Sequence, residues 1–240
     1  MKIQNKKILV TGGASGIGLA LAERFLKDNN TVIICGRRQE ALDDARKQFP
    51  SLQTYQCDLA DLNDRIGLFA VIASDHPDLN VLVNNAGIQN WMNVTDPDFP
   101  AKAQQEIAIN TEAPVHLSSL FIQLSNLEVI MNVTSGLSFS PLAKVPVYCA
   151  TKAFLHSYTL SLRYLLKARN IEVIELIPPA LNTDLGGKGI HDFAPPVSGF
   201  IDSVFQQLEE GKQEITYESS EFMLKAGYEQ LKGVFGKMNE

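Results

Sequence analysis

Tyr148 and Lys152 stand four residues apart, with Ser135 thirteen residues before the tyrosine. A tyrosine hydroxyl has an ordinary pKa of about 10 and is a poor acid or base at neutral pH. A lysine one helical turn further on, on the same face, supplies a positive charge that favours the tyrosinate. The pair therefore reads as a proton shuttle, with Ser135 a hydroxyl near it in sequence. Ser138 is a second hydroxyl close by in sequence. The expected chemistry is proton transfer to or from a group beside the tyrosine.

A second cluster could hold the other reactant. Thr11-Gly12-Gly13-Ala14-Ser15-Gly16-Ile17-Gly18 follows an apolar run and opens an amphipathic one. Glycines in such a place let the backbone turn tightly and come close to a pyrophosphate, while a helix N-terminus offers free N–H groups and the positive end of its dipole. A glycine-rich string alone is weak evidence; its place between the first strand and the first helix strengthens it. About twenty residues on, where an acidic residue would hold the ribose hydroxyls of NAD, the chain has Cys35-Gly36-Arg37-Arg38. Arginine can pair bidentately with a 2′-phosphate that a carboxylate would repel. NADP is expected over NAD, with Arg37 the main contact and Arg38 the second.

The elements that must position these groups alternate. Strands are expected at Lys7–Thr11, Val32–Cys35, Gln53–Cys57, Val81–Asn84, Val129–Thr134, Glu172–Ile177 and Glu214–Tyr217. Helices are expected at Ile17–Asp28, Gln39–Phe49, Leu62–Ala73, Ala101–Thr111, Val115–Leu124, Tyr148–Arg169 and Gly199–Glu210. This pattern implies an α/β fold: one doubly wound Rossmann domain over 1–240, with a parallel sheet of about seven strands covered by helices on both faces. The loops Trp91–Pro100 and Leu185–Gly199 follow strand ends, where ligands bind in such sheets. Residues 185–200 are read as a substrate loop, with Phe193 able to cover an apolar ligand, and 219–238 as a C-terminal helical extension.

The chain has 240 residues, 45% of them hydrophobic, enough for a sizeable core. Lys and Arg total 21 against 27 Asp and Glu, a net charge of −6. That balance gives no general footprint for nucleic acid or an anionic membrane. Three widely spaced cysteines suggest neither a disulfide framework nor a metal site, and the four histidines share no ligand spacing. With no export signal or long apolar span in view, a cytoplasmic protein without membrane insertion is expected.

Taken together, the motifs resemble the short-chain dehydrogenase/reductase superfamily: Thr11–Gly18, Cys57-Asp58-Leu59, Asn84-Asn85-Ala86-Gly87, Asn110, Ser135, Tyr148-x-x-x-Lys152, and Pro178 followed by Thr183. Within it the chain resembles the bacterial oxidoreductases associated with lipoteichoic-acid D-alanylation operons. The resemblance implies a catalytic tetrad of Asn110, Ser135, Tyr148 and Lys152. In it Tyr148 is the acid for carbonyl reduction or the base in reverse, Lys152 lowers its pKa, and Asn110 holds a relay water. It implies cofactor contacts at Gly12, Ser15, Gly16, Ile17, Gly18, Arg37, Arg38, Asp58, Leu59, Asn84, Ala86, Gly87, Tyr148, Lys152, Pro178 and Thr183. It also implies a small carbonyl or alcohol substrate and a homodimer or homotetramer. Pro178-Pro179 departs from the family's usual Pro-Gly and puts a backbone contact there in doubt. A non-catalytic NADP(H)-sensing regulator is the alternative, and an isomerase or dehydratase on the same scaffold a third reading.

Overall fold

The computed structural model describes residues 2–240. Seven strands form one sheet: β1 (Lys7–Thr11), β2 (Thr31–Gly36), β3 (Gln53–Gln56), β4 (Val81–Asn84), β5 (Val129–Val133), β6 (Glu172–Ile177) and β7 (Glu214–Thr216). All pairings are parallel, in the order β3-β2-β1-β4-β5-β6-β7. The helices are α1 (Gly16–Lys27), α2 (Gln39–Gln48), α3 (Leu62–Asp75), α4 (Phe99–Ile107), α5 (Ala113–Phe121), α6 (Pro146–Leu166), α7 (Val197–Glu209), α8 (Ser219–Lys225) and α9 (Tyr228–Asn239).

Strand side chains alternate between two apolar layers. Ile8, Val10, Ile34 and Met131 pack with Leu21 and Phe25 of α1, Leu42 of α2 and Phe200 and Val204 of α7. Leu9, Ile33, Leu82 and Ile130 pack with Leu68 and Ile72 of α3, Leu117 and Phe121 of α5 and Leu162 of α6. Strands buried on both faces read as near-continuous apolar runs, as β1, β2 and β4 do. Phe25 is wholly buried and meets Phe205 edge-on at 5.1 Å, so truncating it to alanine should cost about 3–5 kcal/mol.

The strand order reverses between β1 and β4, which opens a crevice at their carboxyl ends. Thr11 closes its floor. Its Oγ1 donates to the Val83 carbonyl (3.1 Å) and accepts from the N–H groups of Asn85 (2.9 Å) and Ala86 (3.0 Å).

Two expected features differ. The two helices after β4 are joined without a break by a π turn over Ala108–Glu112. Pro114 has no N–H to offer the Asn110 carbonyl, so the regular α-helical bond fails there and the turn widens. The C-terminal extension is two helices, separated by extended backbone at Ala226 before Gly227.

Candidate active site

One cleft of about 1340 Å³ runs across the carboxyl ends of the strands. At one end lies the glycine loop. Gly12 has φ +63, and a Cβ there would come 2.9 Å from Ala86 Cα; Gly16 has φ +53. Both conformations favour glycine. The first turn of α1 holds no acidic residue, and the Ser15 hydroxyl makes no capping bond. The helix N-terminus is thus open toward the cleft, as an anion site requires. Arg37 and Arg38 line the same end, are exposed, and make no ion pair among the described residues.

Gly12, Ser15, Gly16, Ile17, Arg37, Arg38, Asp58, Leu59, Ala86, Gly87, Ser135, Tyr148, Lys152, Pro178 and Thr183 all line this cleft. Thr183 sits against Gly16, its Cγ2 lying 3.6 Å from where a Cβ would be. Pro178 keeps its carbonyl in use, accepting from Gly136 N–H at 2.9 Å, which ties the ends of β5 and β6 together.

Two expected cofactor contacts lie elsewhere, and Asn110 sits near Lys152 rather than in the cleft lining. Asn84 turns away from the cleft: its Nδ2 donates to Asn132 Oδ1 (2.9 Å) and Ser118 Oγ (3.2 Å), and Asn85 lines the cleft in its stead. The strand pleat alternates neighbouring side chains, so only one of the two asparagines can face the ligand side. Gly18 packs rather than lines; a Cβ there would fall 2.4 Å from the Gly12 carbonyl oxygen. Asn110 lies in the π turn, almost fully buried. Its Oδ1 accepts from Ile88 N–H (2.9 Å), and its Nδ2 donates to the Ile88 carbonyl (2.9 Å) and Thr151 Oγ1 (3.1 Å). That amide clamps the loop after β4 to α6, and only its Oδ1 has hydrogen-bonding capacity left.

Tyr148, Lys152 and Ser135 converge. The Ser135 hydroxyl lies close enough to Tyr148 to favour its charged form. Lys152 Nζ lies 5.7 Å from the centre of the Tyr148 ring and donates to the Val133 carbonyl at 2.8 Å. Burial pushes Tyr148 up, and the nearby Ser135 hydroxyl only partly offsets it. Burial brings Lys152 down to about 8. The low-dielectric surroundings disfavour both charged forms. Ser138 does not line the cleft, and Cys149 packs with Val145 and Tyr148 beneath it.

Sequence reasoning missed several lining residues. Gln89 and Asn90 follow β4, and Ser219, Met223 and Met238 come from α8 and α9. The last two helices wall the cleft because α9 docks on the segment before α6. Asn239 Oδ1 accepts from Ala143 N–H at 2.6 Å, and its Nδ2 donates to the Pro141 carbonyl at 3.1 Å. Nothing local in the sequence marks contacts of such separation.

Residues 6–192 match the short chain dehydrogenase family. The chain belongs to this family. Among short-chain dehydrogenases, an uncharacterized oxidoreductase of Bacillus subtilis, DltE, is 43% identical over 253 aligned positions, covering 100% of this chain and 98% of that protein. The NADP-dependent 3-hydroxy acid dehydrogenase YdfG of Shigella flexneri is 28% identical, over 71% of each chain. The crystal structure of a short-chain dehydrogenase from Burkholderia cenocepacia, solved with NADP, has a TM-score of 0.85 at 25% identity, covering 98% of this chain and 99% of that one. Among the described residues no helix is long and apolar enough to cross a membrane.

Proposed function

We propose that this short-chain dehydrogenase is an NADP(H)-dependent oxidoreductase that interconverts a carbonyl and an alcohol. The observation that carries this reading is the continuity of one cleft. The open N-terminus of α1 with Arg37 and Arg38 stands at one end, and the Ser135 and Tyr148 side chains line the same cleft further along. The residues fit a phosphorylated dinucleotide: the glycines leave room for a pyrophosphate, and two unpaired guanidinium groups suit a 2′-phosphate. The Burkholderia relative was crystallised with NADP, and the Shigella relative is named NADP-dependent, which supports the same choice.

When bound, NADPH supplies the hydride. Gly12, Ser15, Gly16 and Ile17 would hold the pyrophosphate, Arg37 with Arg38 the 2′-phosphate, Asp58 and Leu59 the adenine side, and Pro178 and Thr183 the nicotinamide side. Ser135 and Tyr148 hold the carbonyl oxygen between their hydroxyls. Burial keeps Tyr148 protonated at neutral pH, so it stands ready to give its proton to that oxygen as the alcohol forms. Lys152, a cation below about pH 8, stabilises the tyrosinate left behind. In the alcohol-oxidising direction the same tyrosine must first lose its proton, which burial opposes. Leu185, Gly186, Ile190, His191 and Phe193 of the 185–200 loop form the substrate wall.

The test is NADPH and NADH oxidation by the full chain across a panel of ketones and aldehydes. Carbonyl-dependent oxidation of NADPH, faster than of NADH, is the expected result. Tight NADPH binding with no turnover of any carbonyl or alcohol would instead mark a cofactor-sensing protein.

A further inference from the structure

Behind the tyrosine, the cleft carries polar atoms that the proposed carbonyl chemistry does not use. Gln89 lines it, is only 8% exposed, and its side chain makes no hydrogen bond among the described residues. Its Oε1 lies against the substrate loop, 2.8 Å from where a Cβ on Gly186 would sit. Gly186 has φ +79, so a left-handed glycine brings the loop up to this amide. Next to it, Glu106 of α4 is wholly buried. One of its oxygens accepts from Asn90 N–H at 2.5 Å; the other, Oε2, has no partner. Asn90 Nδ2 is buried beside the same carboxylate, favouring its charged form without completing a well-formed bond among the described residues. Glu106 stands on the tyrosine side, close enough for its charge to oppose Tyr148 ionisation.

Buried polar atoms are almost always hydrogen-bonded, and those that are not call for a reason. Here Gln89 Oε1, an unmet acceptor, lines the cleft that also contains Ser135 and Tyr148, and a second, Glu106 Oε2, is buried behind Asn90. We propose that Gln89, backed by Asn90 and Glu106, forms a polar subsite that takes a hydrogen-bond-donating group, a hydroxyl or an ammonium, carried by the substrate beside its reacting carbon. This rests on the carbonyl–alcohol reading for which carbon reacts, while the subsite itself is defined by the unpaired atoms. A site built to pair a substrate donor discriminates against the isostere that lacks it, because the buried acceptors are then left empty.

The test is ligand-detected NMR titration of the full chain loaded with NADP. The probes are butanone, hydroxyacetone and aminoacetone, which match in heavy-atom count, and the same three end groups on chains one and two carbons longer. At one chain length the hydroxyl or ammonium member should bind about tenfold tighter than the methyl member. Gln89→Leu should bring that ratio close to one, with NADPH fluorescence reporting that the variant is folded. Gln89→Glu, which keeps an acceptor and adds charge, should retain a preference and tilt it toward the ammonium. If the ammonium binds best in the parent chain, Glu106→Gln should remove its margin over the hydroxyl. Equal binding of the three end groups at every length, or an unchanged ratio in Gln89→Leu, would overturn the proposal. Preferential binding without turnover of any carbonyl would support the subsite and count against the reaction assigned to it.

Discussion

His156 Nδ1 lies 2.9 and 3.0 Å from the two carboxylate oxygens of Glu175, a residue of β6 with no exposed surface. The same carboxylate accepts from Thr134 Oγ1 at 2.6 Å. Thr134 directly precedes Ser135, and His156 stands one helical turn beyond Lys152 on α6. The His156 ring also meets Phe139 edge-on at 4.8 Å. Glu175 therefore joins the segment that carries the serine to the helix that carries the tyrosine and lysine.

The hydrogen bond to Glu175 holds the His156 pKa above 6.5, with burial working against it. A raised folded pKa contributes stability that is complete below the unfolded value of about 6.5 and is lost as pH rises through the folded one. Thermal stability should accordingly decline on the alkaline side of pH 6.5 by an amount that Glu175→Gln abolishes. NMR titration of His156 should show its pKa falling in that variant. Glu175→Gln should also destabilise the fold by about 1.5–3 kcal/mol, measured by denaturant unfolding. An unmoved His156 titration would dismiss the pair.

Tyr148→Phe should lower kcat by about 10²–10⁴ while NADPH still binds, since only the proton donor is lost. Stopped-flow turnover and fluorescence titration separate the two effects. Activity retained at saturating cofactor would remove Tyr148 from the reaction.

Carbonyl reduction should weaken as pH climbs through about 8, where Lys152 loses its proton and its charge. A pH–rate profile of kcat/KM reads this directly. Lys152→Arg keeps a cation at every accessible pH, so the alkaline limb should move outward. The same limb in both proteins would assign it to another group.

Arg37→Ala should weaken NADPH binding by about tenfold to a hundredfold and NADH binding far less. Fluorescence titration with both cofactors gives the ratio. Equal losses for the two would mean that Arg37 does not read the 2′-phosphate.

Much of this architecture is legible from residue order, because parallel strands buried on both faces leave unmistakable apolar runs. The bounds of β4 and β6 match the sequence expectation residue for residue. The glycine loop and the Ser135–Tyr148–Lys152 cluster are local enough to read by spacing. What escaped reading depends on distance or on environment. Which of Asn84 and Asn85 faces the cleft is decided by strand pleat and by partners on two other elements. The direction of the Tyr148 shift depends on burial, which outweighs the neighbouring Ser135 hydroxyl. Glu106 and Glu175 look like surface carboxylates in a helix and a strand until the folded chain encloses them.

Glu175 also bears on how β6 finds its place. It pairs with Asn132 across the sheet and points toward α6, while Ile174 and Leu176 point to the opposite layer, against Phe200 and Val204. Sliding β6 by one position would exchange these faces. The carboxylate would then enter an apolar layer with neither Thr134 nor His156 to meet it, and two aliphatic side chains would displace it beside the histidine. A buried acid among otherwise aliphatic buried neighbours thus works as a registration mark, making the misaligned sheet far costlier than the aligned one.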